Sequence, residues 1–256
     1  MSNRWPSDLP KKPLVEAILE VKWGHENRPD PAYPLTVGRL YERARQDYAE
    51  IEDLPIAQVP AEVATHFVRH RFRQSKGGWP LVQIGPGILT LNATREYHWE
   101  DFNRRAQRLL PWLYEAHPRP EDLAINNLLL RYINAIEFDY LADDALEFLA
   151  SNLKVGLRLP SELLQSVGVT RRPTTVGVQL GYPVESPAGV LRLQLGTGVK
   201  NDRNAVIWEI HFMSTGTEVP QLPRAFPAWL EGAHTRIEGW FFGMVEGELL
   251  DRFRHS

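Results

Sequence analysis

Four cations close together are the first candidates for chemistry. Residues 66–74 read as a strand, and its period of two puts Phe67, Arg69, Arg71 and Arg73 on one face. His66, Val68, His70 and Phe72 take the other, and Lys76 follows in the turn. A row of guanidinium groups spaced in this way binds phosphates or acidic partners bidentately. The competing expectation, and the preferred one, is pairing with Glu16 and Glu20 of the first strand, because opposite charges across strands are ordinary sheet chemistry.

Other constellations carry less. The glycine clusters at 85–87 and 196–199 match neither GxGxxG nor GxxxxGK[ST], and Pro86 has no N–H to offer a phosphate. They read as turns or bulges. His66 and His70 are four residues apart, which on a strand is about 13 Å, too far to share one ion. His98 with Glu100 and Asp101 stands before a helix, where acids complement the dipole. His234 lies beside an apolar helical stripe and reads as structural. No GxSxG elbow and no SxxK occurs, and cysteine is absent, which removes thiolate chemistry and disulfides. The expectation is therefore no metal, no cofactor and no catalytic residue. The asparagine of the sequon at 92–94 is expected to be silent.

The charge sum is 29 − 32 = −3 over 256 residues, which argues against a wide basic field for nucleic acid. Residues 1–13 read as a polar, proline-rich loose arm with no signal-like apolar stretch, and no run approaches the roughly 20 apolar residues of a membrane span. The expected setting is cytoplasmic, without membrane contact.

These groups need a scaffold. Strict alternation over 14–23 makes a strand, and apolar spacing over 35–51 a helix. Strands follow at 66–74 and 80–92, then a helix over 100–116 that Pro111 should kink or divide. The order then restarts: a strand at 125–138, a short helix opened by Asp143 and Asp144, a hairpin of 174–182 with 189–195, a strand at 205–213 and a long helix over 226–253. The fold class is α+β. Two tandem strand–helix–strand–strand–helix units are expected, 14–122 and 123–256, their antiparallel sheets covered by helices on one face. The two sheets either stay separate or fuse into one curved sheet. Leu19, Val21, Leu89, Leu91, Leu130, Tyr132, Leu193 and Leu195 are the expected core. On the last helix Trp229, Phe241 and Val245 widen the apolar arc beyond what one sheet face absorbs, so with Trp240 and Met244 of the same stripe they are candidates for a homodimer or partner interface.

Several strings keep a recognisable order and spacing: KKPLVEAI at 11–18, YPL at 33–35, GRLYER at 38–43, WPLVQIGPGILTLN at 79–92, YHWEDF at 97–102, RYIN at 131–134 and HTRIEGWF at 234–241. Over nearly the whole chain they resemble a patchily distributed bacterial family of uncharacterised proteins of about 250 residues. That resemblance implies no activity, cofactor or catalytic residue. Patchy distribution suits mobile genes, and so implies a component of a defence or toxin–antitoxin module. The expected function is a non-enzymatic recognition or regulatory protein with a protein partner or a second copy. The alternative is a nucleic-acid or nucleotide binder using Arg69, Arg71, Arg73 and Lys76. The third class is a hydrolase whose site forms only on folding.

Overall fold

Alternation in residues 14–23 builds the strand at the centre of the molecule. In β1 (Leu14–Trp23) Ala17, Leu19, Val21 and Trp23 are buried, while Glu16, Ile18, Glu20 and Lys22 are half-buried on the other face. The structure is a computed structural model in which residues 9–24, 30–59, 66–94, 96–169 and 172–254 are described. After β1 come α1 (Tyr33–Ala44), β2 (Glu50–Asp53), β3 (His70–Arg73), β4 (Leu81–Gly85), β5 (Ile88–Ala93) and α2 (Trp99–Ala116). The chain continues through β6 (Ile125–Glu137), α3 (Ala145–Leu153), α4 (Ser161–Ser166), β7 (Gly177–Glu185), β8 (Ala188–Lys200), β9 (Arg203–Thr215), α5 (Phe226–Val245) and α6 (Glu248–Arg254).

The described strands form one antiparallel sheet of nine, in the order β2-β3-β4-β5-β1-β6-β9-β8-β7. The two central strands are β1 and β6, with Leu19 opposite Leu130 and Val21 opposite Leu128. β5 flanks β1 on one side, and β9 flanks β6 on the other. So the halves are joined by backbone pairing rather than merely docked. One hydrophobic core draws on both, and all eight expected core residues are buried in it. α1 touches β3 and β4, α2 touches α1 and β5, and α5 touches β6 and β9.

Several boundaries differ from the sequence reading, each for a local reason. The helix expected over 35–51 ends at Ala44, and Ile51 belongs to the short edge strand β2. The strand expected over 66–74 is regular only from His70 to Arg73, and His66 at its expected start takes a positive φ of 58°. The segment 80–92 is two strands with Pro86 and Gly87 as their turn. A Cβ on Gly85 would stand 1.9 Å from the Phe67 carbonyl oxygen, so no side chain fits without moving backbone. Gly85→Ala is expected to cost roughly 1–3 kcal/mol, read by urea unfolding; a neutral result would mean the segment at Phe67 yields freely.

α2 runs unbroken through Pro111. Both Pro111 and Gln107, whose carbonyl loses its N–H partner, are exposed, so water satisfies the freed group. The last helix divides at Glu246–Gly247, where Gly247 adopts φ +118°, a conformation that ends a helix. Asp144 caps α3, accepting from the N–H groups of Leu146 and Glu147. Residues 9–13, expected within the loose arm, are anchored: Leu9 is buried, Lys11 N–H donates to Phe253 O at 3.1 Å, and Ala135 N–H donates to Pro13 O at 2.9 Å. Among the described residues no helix is long and apolar enough to cross a membrane.

Candidate functional site

β6 turns the even positions Leu128, Leu130, Tyr132 and Asn134 to the buried face. The first two are filled over by core. Tyr132 and Asn134 instead line a cavity of about 120 Å³. Its other walls are residues 9, 12, 13 and 14 entering β1, residues 97–99 entering α2, and one face of α5. That face carries His234, Ile237, Glu238 and Phe241, a spacing of i, i+3, i+4 and i+7 that one helical stripe provides. Ile237 and Phe242 are buried, while His98 is exposed and Glu238 half-exposed at the rim.

A chain of polar groups crosses this apolar space. The Tyr97 and Tyr132 hydroxyls are 2.6 Å apart, and Tyr132 Oη is 3.1 Å from His234 Nδ1. His234 Nε2 faces Glu238 Oε1 at 3.9 Å. The Trp99 ring stacks on the His234 imidazole, with centroids 3.6 Å apart and 13° between planes. One proton assignment satisfies the chain: Tyr97 donates to Tyr132, Tyr132 donates to Nδ1, and Nε2 carries the hydrogen. Burial pushes the His234 pKa down to about 3, so its imidazole is neutral at pH 7. Burial likewise holds both tyrosines well above the usual tyrosine range. Burial, and then the charges of Glu231 and Glu100, raise Glu238. Lys12 Nζ donates to Tyr97 O at 2.7 Å and fixes the approach to α2.

Asn134 is the exception in this network. It is 3 % exposed, and its Nδ2 has no hydrogen-bond partner among the described residues. A buried amide left unpaired costs roughly 1–3 kcal/mol. Among the described residues no group of three His, Asp or Glu is placed to hold a metal ion.

The arginine row is divided by the fold. Phe72 packs on Tyr41 of α1, so Arg71 and Arg73 point to the opposite sheet face. Arg73 Nε donates to Glu52 at 2.8 Å, Arg71 Nε donates to Gln83 at 2.7 Å, and Arg71 lies 3.9 Å from Glu52. The acid is therefore Glu52 on β2, not Glu16 or Glu20. Glu16 accepts from Asn92, and Glu20 pairs with Lys22. Asn92, the sequon asparagine, is itself buried. Arg69 lies outside β3 and is buried, and Lys76 is exposed in the turn. The four do not form one surface.

The stripe on the last helices is absorbed within the chain. Trp229, Met244 and Val245 are buried, Trp229 donating from its indole to Ser214 Oγ at 2.8 Å. Trp240 and Phe241 are half-buried, Trp240 against Tyr182 and Phe241 over Trp208. The arc is wide because α5 is covered on two sides: it meets β6 and β9 and also α2, α3 and α6.

Sequence reasoning placed Tyr132 in the core and His234 in a structural role, and passed over Tyr97, Asn134 and Glu238. A signal for them was present. The strings at 11–18, 97–102, 131–134 and 234–241 each supply cavity residues: Lys12, Pro13 and Leu14; Tyr97, His98 and Trp99; Tyr132 and Asn134; His234, Ile237, Glu238 and Phe241.

No known family model and no curated protein matches the chain. Among solved structures it is similar to the di-domain ARO/CYC StfQ from the steffimycin biosynthetic pathway, at 9% identity over 94% of this chain and 98% of that one, with a TM-score of 0.24, a likeness too slight to bear on fold or function.

Proposed function

We propose that the chain is a non-enzymatic recognition protein that holds a small molecule in the cavity between β6, α2 and α5. Its occupant is a ring of about phenol's size bearing one oxygen that accepts a hydrogen bond from Asn134. The observation that carries this reading is the unpartnered Nδ2 of the buried Asn134, whose residue lines the cavity together with aromatic and aliphatic side chains. A ligand oxygen there recovers the lost hydrogen bond, and the rings of Trp99 and Phe241 supply apolar contact. The cavity, at about 120 Å³, is somewhat smaller than the roughly 150 Å³ apolar cavity that takes benzene, which limits the occupant to a single small ring.

The tyrosine–histidine chain favours binding over catalysis. General acid–base groups work best with a pKa near the operating pH. Here His234 is near 3 and both tyrosines are raised, so each holds its proton state and serves to position its neighbours.

The test is a titration with phenol and with benzene, followed by the Asn134 side-chain amide and Trp99 indole signals in NMR. Phenol is expected to bind saturably and more tightly than benzene. Asn134→Leu, of similar volume, should weaken phenol about tenfold, the worth of one hydrogen bond, and leave benzene unchanged. Equal binding of phenol by both proteins would overturn the reading.

We infer also that the sheet descends from two tandem units with their boundary near residue 122. The support is the strand order, in which each central strand is flanked by the last strand of its own half.

A further inference from the structure

We propose that Arg69 holds a small oxyanion, a carboxylate or a phosphate group, through its Nε–H and Nη2–H. This site shares no residue with the cavity above and stands independently of it. Of the three arginines, Arg71 and Arg73 have Glu52 and Gln83 as partners, but among the described residues Arg69 pairs with no acid. It is also the buried one, at 6 % exposure. Its Nε and Nη2 have no hydrogen-bond partner among the described residues.

Those two atoms are a matched pair. They lie on one edge of the guanidinium and present two parallel N–H groups, the fork that takes two oxygens of a carboxylate or phosphate. The third nitrogen, Nη1, is turned away toward the Ala57 carbonyl at 3.5 Å. The backbone clamps the residue in place: Arg69 N–H donates to Ile84 O, and Arg69 O accepts from Leu54 N–H, each at 2.8 Å. Arginine cannot shed its charge when buried, and a buried charge without a counter-charge costs several kcal/mol. Neighbouring groups are already engaged. Tyr33 Oη and His70 Nδ1 are 2.5 Å apart, and Asp53 faces His70 Nε2 at 3.4 Å. The Arg69 charge lies within electrostatic reach of both Tyr33 and His70. On the Nη1 side of the guanidinium lies the turn Pro55–Gln58, none of whose residues is fully buried. Its hydrogen bond to Arg69, at 3.5 Å, is long for that type.

The test uses the full chain at constant ionic strength, with chloride as baseline and inorganic phosphate or acetate as the added anion. The readouts are the arginine Nε–H signals in NMR and the thermal midpoint. One Nε–H signal, absent in Arg69→Lys, should shift saturably, and the midpoint should rise with the same anion. Arg69→Lys keeps the charge but loses the fork, so the anion affinity should fall at least tenfold. Arg71→Gln should retain it. A response to phosphate alone assigns a phosphate group, and a response to acetate alone assigns a carboxylate. No saturable shift of the Arg69 signal in the wild-type chain with either anion would overturn the proposal, whatever the variants do. An unchanged midpoint rise in Arg69→Lys would overturn it as well.

Discussion

Acidification below pH 6.5 is expected to destabilise the chain steeply through His234. The imidazole is 9 % exposed, is stacked under Trp99 and accepts from the Tyr132 hydroxyl. Its pKa is about 3 in the folded chain against 6.5 for the unperturbed group. Between those values the unfolded chain binds a proton that the folded chain refuses. Stability therefore holds above pH 6.5 and falls as pH drops, by about 1.4 kcal/mol per pH unit, reaching roughly 3 kcal/mol by pH 4. Glu238 works the other way, because its raised pKa makes the folded chain take up a proton first. The difference between wild type and His234→Phe isolates the histidine. Urea unfolding from pH 7 to pH 4 should show the wild-type curve falling and the variant's staying flatter. Parallel curves would show that His234 is free to protonate in the fold.

Leu130→Ala is expected to cost roughly 2–5 kcal/mol. Leu130 is fully buried at the centre of the sheet, opposite Leu19 of β1 on one side and Phe212 of β9 on the other. These three belong to strands that pair over nearly their whole length, so the backbone has little freedom to collapse into the void. Seven residues on, Glu137→Ala removes an exposed ion pair with Arg203, which solvent screens, and should leave stability nearly unchanged. The contrast between two positions on one strand, read by chemical denaturation, distinguishes a cavity from a general weakening of β6. A Leu130→Ala cost below about 0.5 kcal/mol would show that its side chain leaves no cavity.

Periodicity and composition by themselves determined the α+β class, β1 at its bounds, and β6, β7 and β9 to within a few residues, whereas β4 and β5 read as one strand and β2 as helix. They also determined the eight core positions, from Leu19 in β1 to Leu195 in β8. Such patterns are local: a side chain's face follows from its parity in a strand, whatever the strand pairs with. Breaks that depend on single backbone angles or on solvent were not legible. Gly247 divides the last helix through its φ, and Pro111 leaves α2 intact because Gln107 opposite it is exposed. Neighbours were decided by tertiary structure alone. Glu52 rather than Glu16 or Glu20 meets the arginines because β2, not β1, lies beside β3. Trp229, Met244 and Val245 are internal because α5 is enclosed on two sides. The cavity belongs to the same class. Tyr97, Tyr132 and His234 are separated by 35 and 102 residues along the chain. Only the pairing of β1 with β6 and the crossing of α5 over β6 bring their hydroxyls and imidazole within hydrogen-bond reach. Hydrogen bonds act over about 3 Å, and no spacing in a sequence encodes which distant segments approach that closely.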